Sequence, residues 1–182
     1  MKSPCGDISD DNGNEQEMGF YANVQIIDAD CSCGDKYEFE APDSIGMIGG
    51  YINWLDFGAT IRSYKDPNNT DFIYFKYSAS GENIKKLMDI PPEGIKLPIS
   101  RTSGYEYVWI IYLEDCVEAH TDCTYRADSV ESDSYLTIYS FEYIGENQLL
   151  LVGSIKCTLL LNDGSWRIIE GNFSIPIEEI FG

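Results

Sequence analysis

The chain has 182 residues, with 12 Lys and Arg against 31 Asp and Glu, a formal net charge of −19 at neutral pH. That balance excludes a protein that grips nucleic acid or an anionic membrane by charge, because neutralising phosphates requires clustered cations. A composition that is 43 % hydrophobic and 13 % aromatic provides for a sizeable core, whereas the best apolar runs, 108–113 and 149–152, have strand length and exclude a transmembrane helix.

Residues 1–18 read as a flexible acidic leader. Asp7, Asp10, Asp11, Glu15 and Glu17 are mixed with Gly, Asn and Ser, and only Ile8 is a strong apolar anchor. Such a stretch buries too little surface to offset its chain entropy. Residues 19–182 then form one β-domain. Its 13 Tyr, 8 Phe and many Ile favour pleated surfaces over helices. Strand candidates in the first half are 20–27, 37–40, 51–64 and 72–78. Gly46, Gly49, Gly50 and Gly58 mark bulges or tight corners, and Asp66-Pro67-Asn68-Asn69 marks a turn. Residues 83–88 suit one helical turn, whose extension Pro91-Pro92 forbids.

The second half is more regular. Tyr105, Tyr107, Trp109, Ile111 and Leu113 alternate with Glu106, Val108, Ile110, Tyr112 and Glu114, which predicts one apolar-aromatic face and one mixed face. Tyr135, Thr137, Tyr139, Phe141 and Tyr143 repeat the pattern opposite Leu136 and Ile138. Turn chemistry at 145–147 and 162–165 separates apolar runs, so residues 135–177 read as consecutive hairpins or a meander. The expected fold is all-β: an antiparallel β-sandwich or flattened barrel of about eight to ten strands.

The 6 cysteines suit an oxidising compartment, where two or three bridges are expected. Spacing alone does not choose the pairing. The strongest candidate is Cys116 with Cys123, which would close a short polar loop, while Cys157 in an apolar strand suits a buried free thiol.

Cys5, followed by Gly6-Asp7 and an acid-rich run, resembles the mature start of Bacteroidetes-type surface lipoproteins. In those proteins the first cysteine carries lipid and the adjacent acids direct export to the cell surface. The C-terminal fifty or so residues are similar to the end of the same group. Ser134-Tyr-Leu-Thr-Ile138 matches its "x-L-T-I" strand, Gly153-Ser-Ile-Lys-Cys-Thr-Leu159 its middle strand, and Gly171-Asn-Phe-Ser-Ile-Pro176 its closing "G-x-F-x-I-P". The resemblance implies a β-sandwich, an outer-membrane or cell-surface location and lipid on Cys5, and it carries over no catalytic residue. Met1-Lys2-Ser3-Pro4 holds no apolar signal core, so this reading places the export signal upstream of Met1.

Residues with chemistry of their own are few. His120 is the only histidine and lies in 114–123, which reads as a surface loop. No G-x-S-x-G elbow is present, and Gly46-Met-Ile-Gly-Gly50 lacks the Lys-Ser/Thr of a phosphate loop. Cys31, Cys33, Cys116, His120 and Cys123 match no common zinc spacing, and Asp115, Glu118 and Asp122 lack the order of a calcium loop, so no metal or cofactor is expected. Glu106 and Glu142 are the acids to consider for glycoside hydrolysis. Tyr51, Trp54, Phe57 and Trp166 would stack on sugar rings if exposed.

The expected function is a non-catalytic, exported lipoprotein that serves as a binding or accessory subunit. Its partner would be a glycan or an outer-membrane complex, with no nucleic acid and with membrane contact only through a lipid on Cys5. Two alternatives compete with this reading. One is a small β-sandwich glycoside hydrolase; the other is an acidic inhibitor or immunity-type protein, which acidity gathered on one face would favour.

Overall fold

A computed structural model of the chain describes residues 21–28, 37–38, 48–53, 55–64, 70–78, 87, 89–102, 107–117 and 122–180. They form eleven strands: β1 (Tyr21–Asp28), β2 (Tyr37–Glu38), β3 (Ile48–Ile52), β4 (Asp56–Tyr64), β5 (Thr70–Ser78), β6 (Ile95–Ser100), β7 (Val108–Val117), β8 (Asp122–Val130), β9 (Tyr135–Gly145), β10 (Gln148–Leu161) and β11 (Trp166–Glu179). All pairings are antiparallel except β3 with β11 and β6 with β7. The all-β expectation is met, with one strand more than the upper end of its range.

Pairing runs in a ring, β11-β3-β4-β5-β7-β6-β9-β10 and back to β11, so the sheet is a flattened barrel. The ring shuts where Ile177, Glu178 and Glu179 of β11 lie beside Gly50, Tyr51 and Ile52 of β3. Gly50 is needed at this seam, because a Cβ there would collide with the Gly58 carbonyl and stand 2.8 Å from Ile177 Cγ2. Toward the start of β11 the partner changes. Residues 167–174 pair with β1, and β1 pairs with β2. Among the described residues no pairing joins β2 to β4, so the barrel is shut at one end and parted at the other.

Inward side chains fill the interior. Phe57, Ile73, Phe75, Ile110, Leu136, Ile138, Leu151, Phe173 and Ile175 are fully buried, and Phe75 packs on Phe173 with ring centroids 5.4 Å apart. Burying each such side chain contributes roughly 1.5–3 kcal/mol before chain entropy is charged against it. Gly153 makes room for this packing, since a Cβ would stand 2.6 Å from both Phe173 Cζ and the Thr137 carbonyl oxygen.

Several local expectations change. The candidate strand 51–64 is the second half of one strand, a turn and another strand. The Asn53 side-chain carbonyl accepts the N–H of Leu55 (2.7 Å) and of Asp56 (3.0 Å), and this Asx-type turn reverses the chain between β3 and β4. The segment 114–123 is not simply a surface loop: Glu114 to Val117 complete β7, and Asp122 and Cys123 begin β8. Along β7 the mixed set Val108, Ile110, Tyr112, Glu114 and Cys116 is buried, and the aromatic set faces outward. Burial on β9 changes parity at a bulge, where Val152 pairs with Ser140 but Gly153 pairs with Ile138, leaving Tyr139 exposed. The meander expected over 135–177 is present as β9, β10 and β11. Of the predicted helical turn only Leu87 is described, and it is buried. The leader 1–18 lies outside the described residues.

Candidate functional site

The densest polar chemistry sits inside the parted end. Period-two alternation on β7 aims Tyr112 and Glu114 inward, and on β11 it aims Arg167 inward from another wall. Arg167 forks onto Glu114, Nε to Oε2 at 2.9 Å and Nη2 to Oε1 at 3.3 Å, and its Nη1 stands 3.4 Å from Asp28 Oδ2. Tyr112 donates its hydroxyl to Glu114 Oε2 at 3.0 Å. Arg167 Nη1 also donates to Ser165 Oγ at 3.2 Å and to the Trp166 carbonyl at 3.1 Å. Glu114, Arg167 and Asp71 are all buried.

Local backbone helps to build this cluster. Between the pairs Thr70–Cys116 and Phe72–Leu113, two β7 residues, Glu114 and Asp115, oppose the single Asp71 of β5. Asp115 takes a left-handed φ of 51°, which Asp tolerates better than most residues, and its N–H donates to Asp71 Oδ1 at 3.1 Å. Burial pushes the Tyr112 hydroxyl well above its ordinary range, and the Glu114 and Asp71 carboxylates add to that shift. For Arg167 burial works against the charge, but the bonds to Glu114 and the field of Asp28 outweigh it and raise the guanidinium further.

This arrangement holds charge rather than moving protons. A carboxylate clamped by a bidentate guanidinium and a phenol is committed to both, and a phenol shifted upward is a poor base near neutrality. Its work is to neutralise polar groups that span the interior where ring pairing lapses. The Cys116–Cys123 disulfide lies beside it, joining directly opposed residues of β7 and β8.

The outer wall of β3, β4, β5 and β7 carries a second cluster. Register aligns Tyr51, Gly58, Lys76 and Trp109 in one row, with Tyr74 in the next. Tyr74 and Trp109 meet edge to face at 6.1 Å, and Lys76 Nζ pairs with Asp56 Oδ2 at 2.7 Å. Burial and a hydrogen bond with Tyr51 raise the Tyr74 hydroxyl above its ordinary range. Two open depressions mark the opposite wall. One, of about 420 Å³, is lined by Asn23, Gln25, Ser154, Glu170 and Asn172 among others; the second, of about 520 Å³, by Lys96, Asp133 and Tyr135 among others. Both reach Lys156, and Lys96 Nζ sits 3.4 Å above the Tyr135 ring centre.

The candidates read from sequence fare unequally. Cys116 and Cys123 are joined, which takes both out of any thiolate set for zinc. Cys157 is a buried free thiol. Cys5, Cys31, Cys33, His120, Glu118 and Glu106 lie outside the described residues, and among those described no group of His, Cys, Asp and Glu is placed to hold a metal ion. Glu142 is exposed and accepts a hydrogen bond from Ser140 Oγ at 2.9 Å. Of the proposed sugar-stacking rings, Phe57 is fully buried, Tyr51 and Trp166 are half-buried, and Trp54 is not described. Trp109 was visible as a member of an alternating strand and Tyr74 only within the strand candidate 72–78; both join Tyr51 on the outer wall. Among the described residues no helix is long and apolar enough to cross a membrane.

Fold and site together define a disulfide-stapled, flattened β-barrel with an ion cluster at its parted end. No known protein family, no curated protein and no solved structure matches the chain.

Proposed function

We propose that the protein is an exported, non-catalytic binding or accessory subunit of an outer-membrane or extracellular assembly, anchored to the membrane through lipid on Cys5. The Cys116–Cys123 bond carries this reading, because such bridges persist where the compartment is oxidising and are rare where thiols are kept reduced. The interior supports the non-catalytic part, since its central ionisable side chains are engaged with one another at the parted end. Recognition is then left to outer surfaces. The wall bearing Tyr51, Tyr74, Trp109 and the Lys76–Asp56 pair combines ring faces with hydrogen-bonding groups, which suits a hydroxylated ligand such as a glycan.

Intact-mass spectrometry on protein from its native source, before and after reduction and alkylation, tests the proposal. The expected result is a lipid-modified mass at Cys5, with thiols at 116 and 123 that alkylate only after reduction. An unmodified chain whose 6 cysteines all alkylate in denaturant without reduction overturns it.

A further inference from the structure

The shut end of the barrel presents a different surface. Three segments converge there: the β3–β4 turn, the β9–β10 turn and the end of β11. The Ile180 N–H donates to the Ile52 carbonyl at 2.9 Å, the Glu179 N–H donates to the Asn147 carbonyl at 2.9 Å, and the Tyr143 hydroxyl donates to Glu179 Oε1 at 3.2 Å. Leu55 (64 % exposed), Tyr143 (59 %), Ile180 (56 %) and Ile144 (43 %) all belong to these segments, and they are most of the large exposed hydrophobics among the described residues. Elsewhere such residues are scattered singly, so their gathering at one tip is the informative feature.

The segments that form the tip carry carboxylates and no cation of their own. Glu142, Glu146 and Glu178 are exposed and Glu179 is half-buried, whereas stretches 48–61, 139–155 and 168–180 contain no Lys or Arg at all. Asp56 is already paired with Lys76 and is not counted in this rim.

We infer that this tip is a docking surface for a protein that presents an apolar centre framed by Lys and Arg. The inference rests on the binding role proposed above and names the partner's chemistry. A second copy of the chain would set one carboxylate rim against another, and an anionic lipid surface would meet the same repulsion. A basic protein face relieves both the exposed apolar area and the unbalanced charge, with the apolar residues at its centre and the acids steering approach.

The test places a photo-crosslinking residue at Ile144 and, as a control, at Asn162 in the turn between β10 and β11, in the full-length protein in its native cell. The expected result is an adduct from position 144, not from 162, that maps to one polypeptide segment with apolar residues flanked by Lys or Arg. A synthetic peptide of that segment then binds the purified protein. The pair Tyr143→Ser and Ile144→Ser weakens binding at least about tenfold, and Glu146→Gln with Glu178→Gln weakens it in low salt but much less in high salt. Because these side chains are exposed, an unchanged melting temperature certifies folded variants. No adduct at 144, an adduct to lipid or to a second copy, or equal labelling at 162 overturns the inference. Export is scored separately by the mass at Cys5. A cytosolic chain that still captures a basic partner at 144 would sink the proposed location and leave the docking surface standing.

Discussion

The two ends of the barrel solve the same problem in opposite ways. At the shut end, β3 lies directly against β11, backbone hydrogen bonds complete the ring, and apolar side chains are left outside. At the parted end, β1 and β2 take the edge of β11 instead, and the interior is spanned by Arg167, Glu114, Tyr112 and Asp28 rather than by a strand pairing. Backbone closure tolerates changes in side chains around it. An ion cluster does not, because removing one member leaves a charge buried without its counterpart. The parted end is therefore where substitutions should unfold the protein, and the shut end is where they should leave it folded.

The strongest way to break that comparison is Glu114→Ala. It takes the bidentate carboxylate away from the buried Arg167 guanidinium, with the half-buried Asp28 still 3.4 Å from Nη1, and the expected loss is about 3–5 kcal/mol of unfolding free energy. Denaturant titration reads it as a lower midpoint at unchanged slope. The double replacement Glu114→Leu with Arg167→Met should recover much of the loss, since apolar groups of similar volume need no counter-charge. A Glu114→Ala protein within about 1 kcal/mol of wild type would mean that the cluster is solvated and does not hold the end together.

Opening the staple comes next. Cys116→Ser with Cys123→Ser releases a crosslink between residues seven apart in sequence. On the chain-entropy account a loop that short contributes about 2–3 kcal/mol. If the parted end depends on it, amide exchange should rise first in β7 and β8 and last in β9 and β10. Uniform acceleration across all strands would show the two ends unfolding as one unit.

Alkaline pH adds a smaller, graded effect. Burial pushes the Cys157 thiol up to about 12 from its ordinary value of 9.0. A group whose folded pKa is raised contributes stability that is fully present below its unfolded pKa. That stability declines as pH climbs from about 9 toward 12, because the unfolded chain releases the proton first. Cys157→Ala should flatten part of the alkaline limb without moving the acid limb. Tyr112, shifted the same way, continues the decline in that variant. The same burial predicts that Cys157 resists alkylation in the native state and reacts only as the protein unfolds; prompt labelling at neutral pH would contradict a closed core around β10.

How much of this could be read from residues alone follows from what each signal encodes. The meander of β9, β10 and β11 was legible because its turns carry Gly, Asn and Asp between long apolar runs. The Cys116–Cys123 pair was legible from a short polar spacing. Strand β6 was obscured by Pro98 within it, which is tolerated because the Ile99 N–H points toward β9, donating to the Ser134 carbonyl, so position 98 faces β7, which pairs with β6 only at residues 99 and 100. The burial of Glu114 was not legible, because periodicity says which residues share a face but not which face turns inward. On β7 the more polar face turned in, since Arg167 waited across the interior, and that pairing is separated by 53 residues. The acid-rimmed tip was hidden for the same reason: Leu55, the adjacent pair Tyr143 and Ile144, and Ile180 come from three distant parts of the chain and meet only through the ring closure.

The smallest expected effect sharpens the comparison most. Tyr143→Ser with Ile144→Ser should change unfolding free energy by no more than about 1 kcal/mol in total, roughly twice what a single exposed surface substitution shifts. The one bond lost is the Tyr143 hydroxyl to Glu179, exposed and worth little in water. Both side chains are exposed, Tyr143 by 59 % and Ile144 by 43 %, so little buried apolar contact goes with them. Removing two bulky apolar groups from solvent should even reduce self-association at high concentration. An exposed apolar pair that is dispensable for folding and unfavourable for solubility calls for another reason to be there, and recognition of a partner supplies one. A loss of several kcal/mol would say instead that the tip packs against residues beyond those described, and the contrast between the two ends would collapse into a single continuous core.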